Sequence, residues 1–288
     1  MAKKLKGYLI EKYNNMGDAY TCRRLVEEAR KLDCDLQIVG INDCMVTADG
    51  IYNLDKKLDK VDFVINRYKW GKAKDEINQL AARTYNPIDV YDIYINKYEQ
   101  VKRLRSDFFV VPNFILGTSG LGYDYIKAKL GDRFVAKGLE SSMGEEILLV
   151  ENEKEYKKLS EEYPKAKEWL FEEFVTTSFG KDMRFYSIRG QVVAAMERKS
   201  KGDFRANVAL GASVRKIEIT EELKHIAADI YGQTGLDFLG IDLMYGTTKP
   251  YFCEINVMPG LEGIEKASGE NVARKIIETI IEDSKREE

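Results

Sequence analysis

The sequence is poor in the side chains that most often do chemistry. Its 288 positions hold one histidine, His225, and four cysteines, at 22, 34, 44 and 253. A Ser-His-Asp triad needs a positioned imidazole, and a histidine-rich zinc site needs several. Leu223, Ile226, Ala227 and Ile230 form an apolar face at helical spacing, and His225 lies off it. An exposed histidine on a helix is expected, so catalysis would fall to Lys, Arg, Asp, Glu, Asn and a metal. No two cysteines stand as CxxC, and a chain this long folds without staples. Reduced thiols in a cytoplasmic protein are the expectation.

Other absences narrow the choice further. No run of about 20 apolar residues is present, so no membrane span is expected. The apolar stretch Gly7–Ile10 is too short for a signal peptide and reads as a first strand. Against 45 basic residues stand 48 acidic ones, a net charge of −3, without the basic excess of a nucleic-acid binder. Neither GxxxxGK[ST] nor GxGxxG occurs, so a bound nucleotide would need another architecture.

At this length two or three units are expected, since domains run to about 100–200 residues. The first third alternates strands and helices. Gly7–Ile10, Leu36–Val39 and Asp62–Asn66 read as strands. Ala19–Leu32 reads as a helix with Asp18 as its N-cap, and Lys74–Thr84 as a second helix stopped by Asn86-Pro87. That pattern predicts a small parallel α/β sheet. Next come a basic helix Lys97–Arg105, a strand Phe108–Val111, a loop at Gly117-Thr118-Ser119-Gly120 and a helix to Leu130. Strands Arg133–Lys137 and Glu146–Val150 follow, flanking a long loop through Gly138 and Gly144. The last third reads as strands Trp169–Val175, Met183–Ile188, Gln191–Arg198, Phe238–Tyr245 and Pro250–Val257, with helices Glu221–Gln233 and Asn271–Asp283. Short turns between strands, with helices on one face, predict an α+β arrangement.

The clearest chemical signal is acidic. Residues two apart share a strand face, so Glu254 and Asn256 point the same way. A hairpin about residues 246–249 would bring Asp242 opposite Glu254. Two carboxylates and an amide oxygen are hard donors that suit Mg²⁺. The plainer reading is a wet sheet face. Lys137 closes the apolar run Phe134-Val135-Ala136 beside a Gly/Ser loop, where it can reach a phosphate; a solvated strand-end lysine would look the same. Arg198, Arg205 and Asn207 lie close together after a strand, and guanidinium forks match phosphoryl and carboxylate oxygens. Trp169-Leu170-Phe171-Glu172-Glu173-Phe174-Val175 fits an adenine and ribose slot, or a core strand with one wet face.

Taken in order, six segments resemble a known family. They are the Lys137 strand with its glycine loop, Glu172-Glu173-Phe174-Val175, Lys181-Asp182-Met183-Arg184, Asp203-Phe204-Arg205-Ala206-Asn207, Gly240-Ile241-Asp242-Leu243 and Glu254-Ile255-Asn256-Val257-Met258-Pro259-Gly260-Leu261-Glu262-Gly263-Ile264-Glu265. Together they resemble the RimK-like branch of the ATP-grasp superfamily, the alpha-L-glutamate ligases and their relatives. The resemblance is dense from about residue 94 onward and only architectural before it. It implies an α/β domain (1–93) followed by an α+β ATP-grasp fold whose two subdomains (94–172 and 173–288) sandwich ATP. By position, Lys97 and Lys137 would contact phosphates and Glu173 with Phe174 would form the adenine hinge. Asp182 would lie at the ribose side, and Arg184 in the same segment would be nucleotide-binding. Arg198, Arg205 and Asn207 would meet the triphosphate and the acyl-phosphate, and Ser142 would contact nucleotide from the lid Ser141–Glu145. Asp242, Glu254 and Asn256 would hold Mg²⁺, two ions by this likeness, with Mn²⁺ as a substitute.

The implied reaction joins a carboxylate to an amine through an acyl-phosphate. It could add glutamate or another amino acid to a protein, peptide or small-molecule acceptor. No nucleic acid or membrane partner is expected, and a homo-oligomer stays open. An ATP-grasp small-molecule kinase and a non-catalytic nucleotide-binding module are the alternatives. Two departures stand out. The lid has fewer glycines than relatives often show, and Val208-Ala209-Leu210-Gly211-Ala212 replaces the basic residue and Gly-Gly pair many carry after Asn207. Acceptor contacts are expected from Asn66-Arg67-Tyr68-Lys69-Trp70.

Overall fold

Strands that bury both faces read as near-continuous apolar runs, and β1 (Lys6–Glu11) is one, with Leu9 and Ile10 fully enclosed. The computed structural model describes residues 4–141, 145–208 and 211–286. After β1 come α1 (Tyr20–Lys31), β2 (Asp35–Gly40), a ribbon of β3 (Cys44–Thr47), β4 (Gly50–Asn53) and β5 (Lys56–Lys57), then β6 (Val61–Asn66), α2 (Ala73–Asn78), β7 (Ala81–Tyr85), α3 (Ile88–Tyr94) and α4 (Lys97–Arg103). The first sheet has the order β2-β1-β6-β7 and every pairing is parallel, as the alternating pattern predicts.

The next segment supplies β8 (Phe114–Thr118), α5 (Tyr123–Leu130), β9 (Phe134–Gly138), β10 (Ile147–Val150), α6 (Glu153–Glu162) and β11 (Glu168–Glu173). Its sheet, β10-β9-β11-β8, is antiparallel and packs α5 and α6 over Phe134, Trp169 and Phe171. The last contributes β12 (Lys181–Ile188), β13 (Gln191–Lys199), β14 (Ser213–Lys216), α7 (Glu221–Thr234), β15 (Phe238–Met244), β16 (Tyr251–Asn256), α8 (Glu262–Ser268) and α9 (Val272–Ser284). These strands form the antiparallel sheet β14-β13-β12-β15-β16. Leu223, Ile226, Ala227 and Ile230 of α7 are buried against it, as their spacing implies, and the exposed His225 stacks on Phe108 at 4.6 Å. One core runs from Leu9, Leu25 and Phe63 to Ile264, Ile276 and Ile277, welding the first sheet to α8 and α9.

Several local expectations give way to tertiary pairing. The helix expected over Lys74–Thr84 ends at Asn78, because residues 81–85 pair with β6 and bury Tyr85. The Phe108–Val111 stretch makes only a bridge, Val110 to Tyr251, and the true strand follows Pro112 and takes in Gly117 and Thr118. A Cβ at Gly117 would stand 2.4 Å from Leu121 Cδ1, so a larger residue there would have to displace that exposed side chain. Helix α1 starts after Ala19, whose position makes no side-chain cap, and Asp18 ends a preceding 3₁₀ turn. The β3–β5 ribbon, α3, α6 and α8 had no legible signal of their own.

Candidate functional site

The site grows from strand register. In the five-stranded sheet Asp182 of β12 faces Arg198 of β13, Arg184 of β12 faces Asp242 of β15, and Asp242 faces Glu254 of β16. Asn256 lies two residues along β16, opposite Gly240. The alternation of side chains therefore puts Asp182, Arg184, Arg198, Asp242, Glu254 and Asn256 on one face. The hairpin expected from the sequence has the register inferred for it.

Their charges are locked together. Arg184 forks Asp242, with Nε to Oδ1 at 2.6 Å and Nη2 to Oδ2 at 2.5 Å. Arg198 forks Asp182 at 2.7 and 2.6 Å and also reaches Asp242 Oδ2 at 2.8 Å. Asp242 is buried, which by itself would raise its pKa, yet the two guanidinium groups hold it below the usual carboxylate range. Asp182 is pushed the other way, to about 6, by burial and by the neighbouring Asp242 charge, with Arg198 opposing. Three of roughly four acceptor positions on Asp242 are taken, which leaves one lone pair for a cation. Glu254 is only partly covered, and its nearest cation is Lys97 Nζ at 3.8 Å. Asn256 Oδ1 accepts from the Met258 N–H at 3.0 Å.

Above this face, between the two antiparallel sheets, is a cleft of about 720 Å³, open to solvent at its mouth. Lys137, Glu173, Phe174, Asp182, Arg198, Arg205, Asn207, Asp242 and Glu254 all line it, so nine of the residues singled out in sequence converge on one cavity. Three do not line it. Lys97 and Asn256 border an adjoining cavity of about 460 Å³ that shares Glu254 and includes Lys69. Arg184 is spent on bracing Asp242. Ser142 lies outside the described residues, as does part of the expected lid. The Glu173 carboxylate is turned to Asn113 Nδ2 at 2.6 Å, and Arg205 is forked to Asp203.

Glu172 went unrecognised. It lies on the same strand face as Lys137, diagonally across the β9–β11 pair, and their Nζ···Oε2 distance is 2.5 Å with both side chains over nine-tenths buried. Burial alone would lower the Lys137 pKa, but the Glu172 carboxylate reverses this and raises it, so the lysine stays charged. The other oxygen, Glu172 Oε1, is buried with no hydrogen-bond partner. A buried carboxylate oxygen in a cleft wall calls for a hydrogen-bond donor from outside the protein, a water or a ligand N–H or O–H. The available signal was the period-two spacing of Leu170 and Glu172, which puts Glu172 rather than Glu173 on the Lys137 side.

Chemically, the cleft offers a buried ammonium, an orphan acceptor, two guanidinium groups and a set of hard oxygen donors. That set fits a purine nucleotide with an exocyclic amine, a polyphosphate and Mg²⁺. Among the described residues no three His, Cys, Asp or Glu side chains cluster as a protein-only metal cage. Mg²⁺ commonly takes one or two carboxylates and completes its shell with waters and phosphate oxygens, so the donor set is compatible with it.

Comparison with known proteins agrees with the geometry. Residues 96–280 match the model of the RimK-like ATP-grasp domain. A probable alpha-L-glutamate ligase of Nitrosococcus oceani is 30% identical over 286 residues, covering 93% of each chain. Among solved structures, D-alanine–D-alanine ligase from Bacillus anthracis superposes with a TM-score of 0.73 at 18% identity, covering 98% of both chains. The ATP-grasp ligase PsnB, complexed with minimal precursor, Mg and ADP, superposes with a TM-score of 0.70 at 16% identity over 97% of both chains. By the extent of the family match and the near-complete overlap with its relatives, the chain belongs to the RimK-like ATP-grasp family of ligases.

Proposed function

We propose that this protein is an ATP-dependent carboxylate–amine ligase that forms an amide through an acyl-phosphate. The observation that carries the reading is the cleft between the antiparallel sheets. There a buried Lys137–Glu172 pair with one unpartnered acceptor faces the Asp182–Arg198–Asp242–Arg184 network. Members of the ATP-grasp family use ATP and Mg²⁺. In our reading Glu172 Oε1 accepts from the adenine amine, with Glu173 and Phe174 beside the ring. Lys137 lies toward the phosphates, and Arg205 with Asn207 closes over them. Arg198 holds Asp182 and Asp242 in place and faces the transferred phosphoryl group. Asp242, Glu254 and Asn256 would hold Mg²⁺, two ions when fully loaded, which supplies charge neutralisation across the phosphates.

Lys97, in the adjoining cavity beside Glu254, would contact the ATP phosphates from that side. The carboxylate takes the γ-phosphoryl group as ADP leaves; the amine then attacks the acyl-phosphate carbonyl, loses a proton and expels phosphate, so no protein nucleophile is required. The acceptor class, whether amino acid, peptide or small metabolite, is bound from the adjoining cavity, to which Lys69 contributes. Residues 1–93 form the unit on that side, and 94–172 and 173–288 form the two halves around the cleft.

The test is ADP release from Mg·ATP with a panel of carboxylates, with and without amino acids or hydroxylamine. Release that needs both a carboxylate and an amine, with a trapped hydroxamate, is expected. Amine-independent release without hydroxamate would replace this reading with a kinase.

A further inference from the structure

We infer that Arg67, just beyond the end of β6, is a positioning residue for the donor end of β16. This inference rests on the ligase reading of the same site. After Asn256 the chain turns across β15, and Pro259 passes so close to Gly240 that a Cβ there would stand 3.0 Å from Pro259 Cβ. The Asn256 side chain is folded back onto Met258 N–H within that turn, so its direction follows the path of residues 257–259.

Residues just past the ends of β6 and β7 and at the start of α1 grip that path at alternate positions. Asn86 Nδ2 donates to Val257 O at 3.0 Å, Arg67 Nη1 donates to Pro259 O at 3.1 Å, and the Leu261 N–H donates to Thr21 Oγ1 at 3.0 Å. Arg67 is the one charged grip of the three. Its Nε is held by Glu11 Oε1 at 2.7 Å, at the end of β1, and its own N–H donates to Ile10 O at 3.1 Å. The planar fork thus spans from the end of β1 to the carbonyl of Pro259. A lysine presents its three donors from one nitrogen on a flexible stem, so it holds the two partners less rigidly than a fork whose Nε and Nη1 stand apart.

The Glu11–Arg67 pair could be no more than a buried ion pair that stabilises the first sheet. The two roles separate in experiment. Binding of a fluorescent ATP analogue is titrated at a series of Mg²⁺ concentrations for Arg67→Lys, Arg67→Met and Glu11→Gln, alongside their melting temperatures. Removing a group that orients a metal ligand typically weakens metal affinity by about 10–100-fold. Arg67→Lys and Arg67→Met should therefore need about 10–100-fold more Mg²⁺ for half-maximal enhancement of binding, with nucleotide affinity in EDTA unchanged. Glu11→Gln keeps the bond to Pro259 O and should melt earlier without moving the Mg²⁺ requirement. If Arg67→Met fails to fold, Arg67→Lys carries the comparison.

An unchanged Mg²⁺ requirement in a folded Arg67 variant overturns the inference, as does an equal shift in Glu11→Gln. A wild-type protein whose nucleotide binding ignores Mg²⁺ would instead remove the ligase reading on which it stands.

Discussion

Replacing Asp242 with asparagine tests the centre of the site. From sequence alone, the expected result is a severe loss of turnover in an intact fold. The structure adds a cost. Asp242 is buried and accepts three charge-assisted hydrogen bonds, at 2.5, 2.6 and 2.8 Å, from Arg184 and Arg198. An asparagine whose oxygen takes the Oδ2 position keeps two of these bonds but turns its NH₂ toward Arg184 Nε, which leaves that N–H unmatched and a buried charge uncompensated. Breaking a buried ion pair from one side costs about 3–5 kcal/mol. Here Asp182, no longer facing a second carboxylate, ionises more readily and partly compensates Arg198, so the lower end, about 3 kcal/mol, is expected. For a chain of this size that corresponds to a melting temperature lower by roughly 5 °C. Thermal denaturation followed by circular dichroism, with ADP release measured well below the melting point, separates the two losses. A variant that melts with the wild type and still releases ADP at its rate would refute both the bracing network and the metal assignment.

Glu172→Gln should retain ATP binding but narrow its preference for ATP over ITP, because an amide can turn its NH₂ toward a 6-oxo group; competition between the two nucleotides measures this. An unchanged ratio would place the base elsewhere. Lys137→Met leaves Glu172 buried without any partner and should cost about 3 kcal/mol of stability as well as nucleotide binding, read by urea denaturation and equilibrium binding. Lys137→Met/Glu172→Leu should recover the stability but not the binding. The third test concerns Asp283. Burial acts to raise its pKa, but Arg189 and Tyr85, at 2.7 and 2.8 Å, outweigh that and lower it. Its contribution is then fully present above the unfolded value of about 3.9 and is lost as pH falls through the lower folded value. Asp283→Asn should destabilise by about 2 kcal/mol at neutral pH, and the gap should close in acid; denaturant midpoints across that range would expose a pH-independent gap.

Much of the site was legible in sequence because strands obey a period of two. Glu254 and Asn256 share a face wherever β16 sits, and the turn length between β15 and β16 already implied Asp242 opposite Glu254. The α7 face and the parallel first sheet followed from spacing in the same way. What sequence could not supply was partnership between distant segments. Arg184 was singled out as nucleotide-binding, and its fork on Asp242, 58 positions away, is visible only in the fold. Glu172 stood beside a more conspicuous twin, Glu173, and only the diagonal contact with Lys137 distinguishes them. Residues 81–85 carry no strand signal stronger than their helical one, and it is pairing with β6 that decides them. Local periodicity and turn chemistry act over a few residues and are written in the chain. Which charges neutralise one another, and which polar atom is left facing the cleft, depends on the contact of sheets far apart in sequence, where burial makes each pairing energetically decisive.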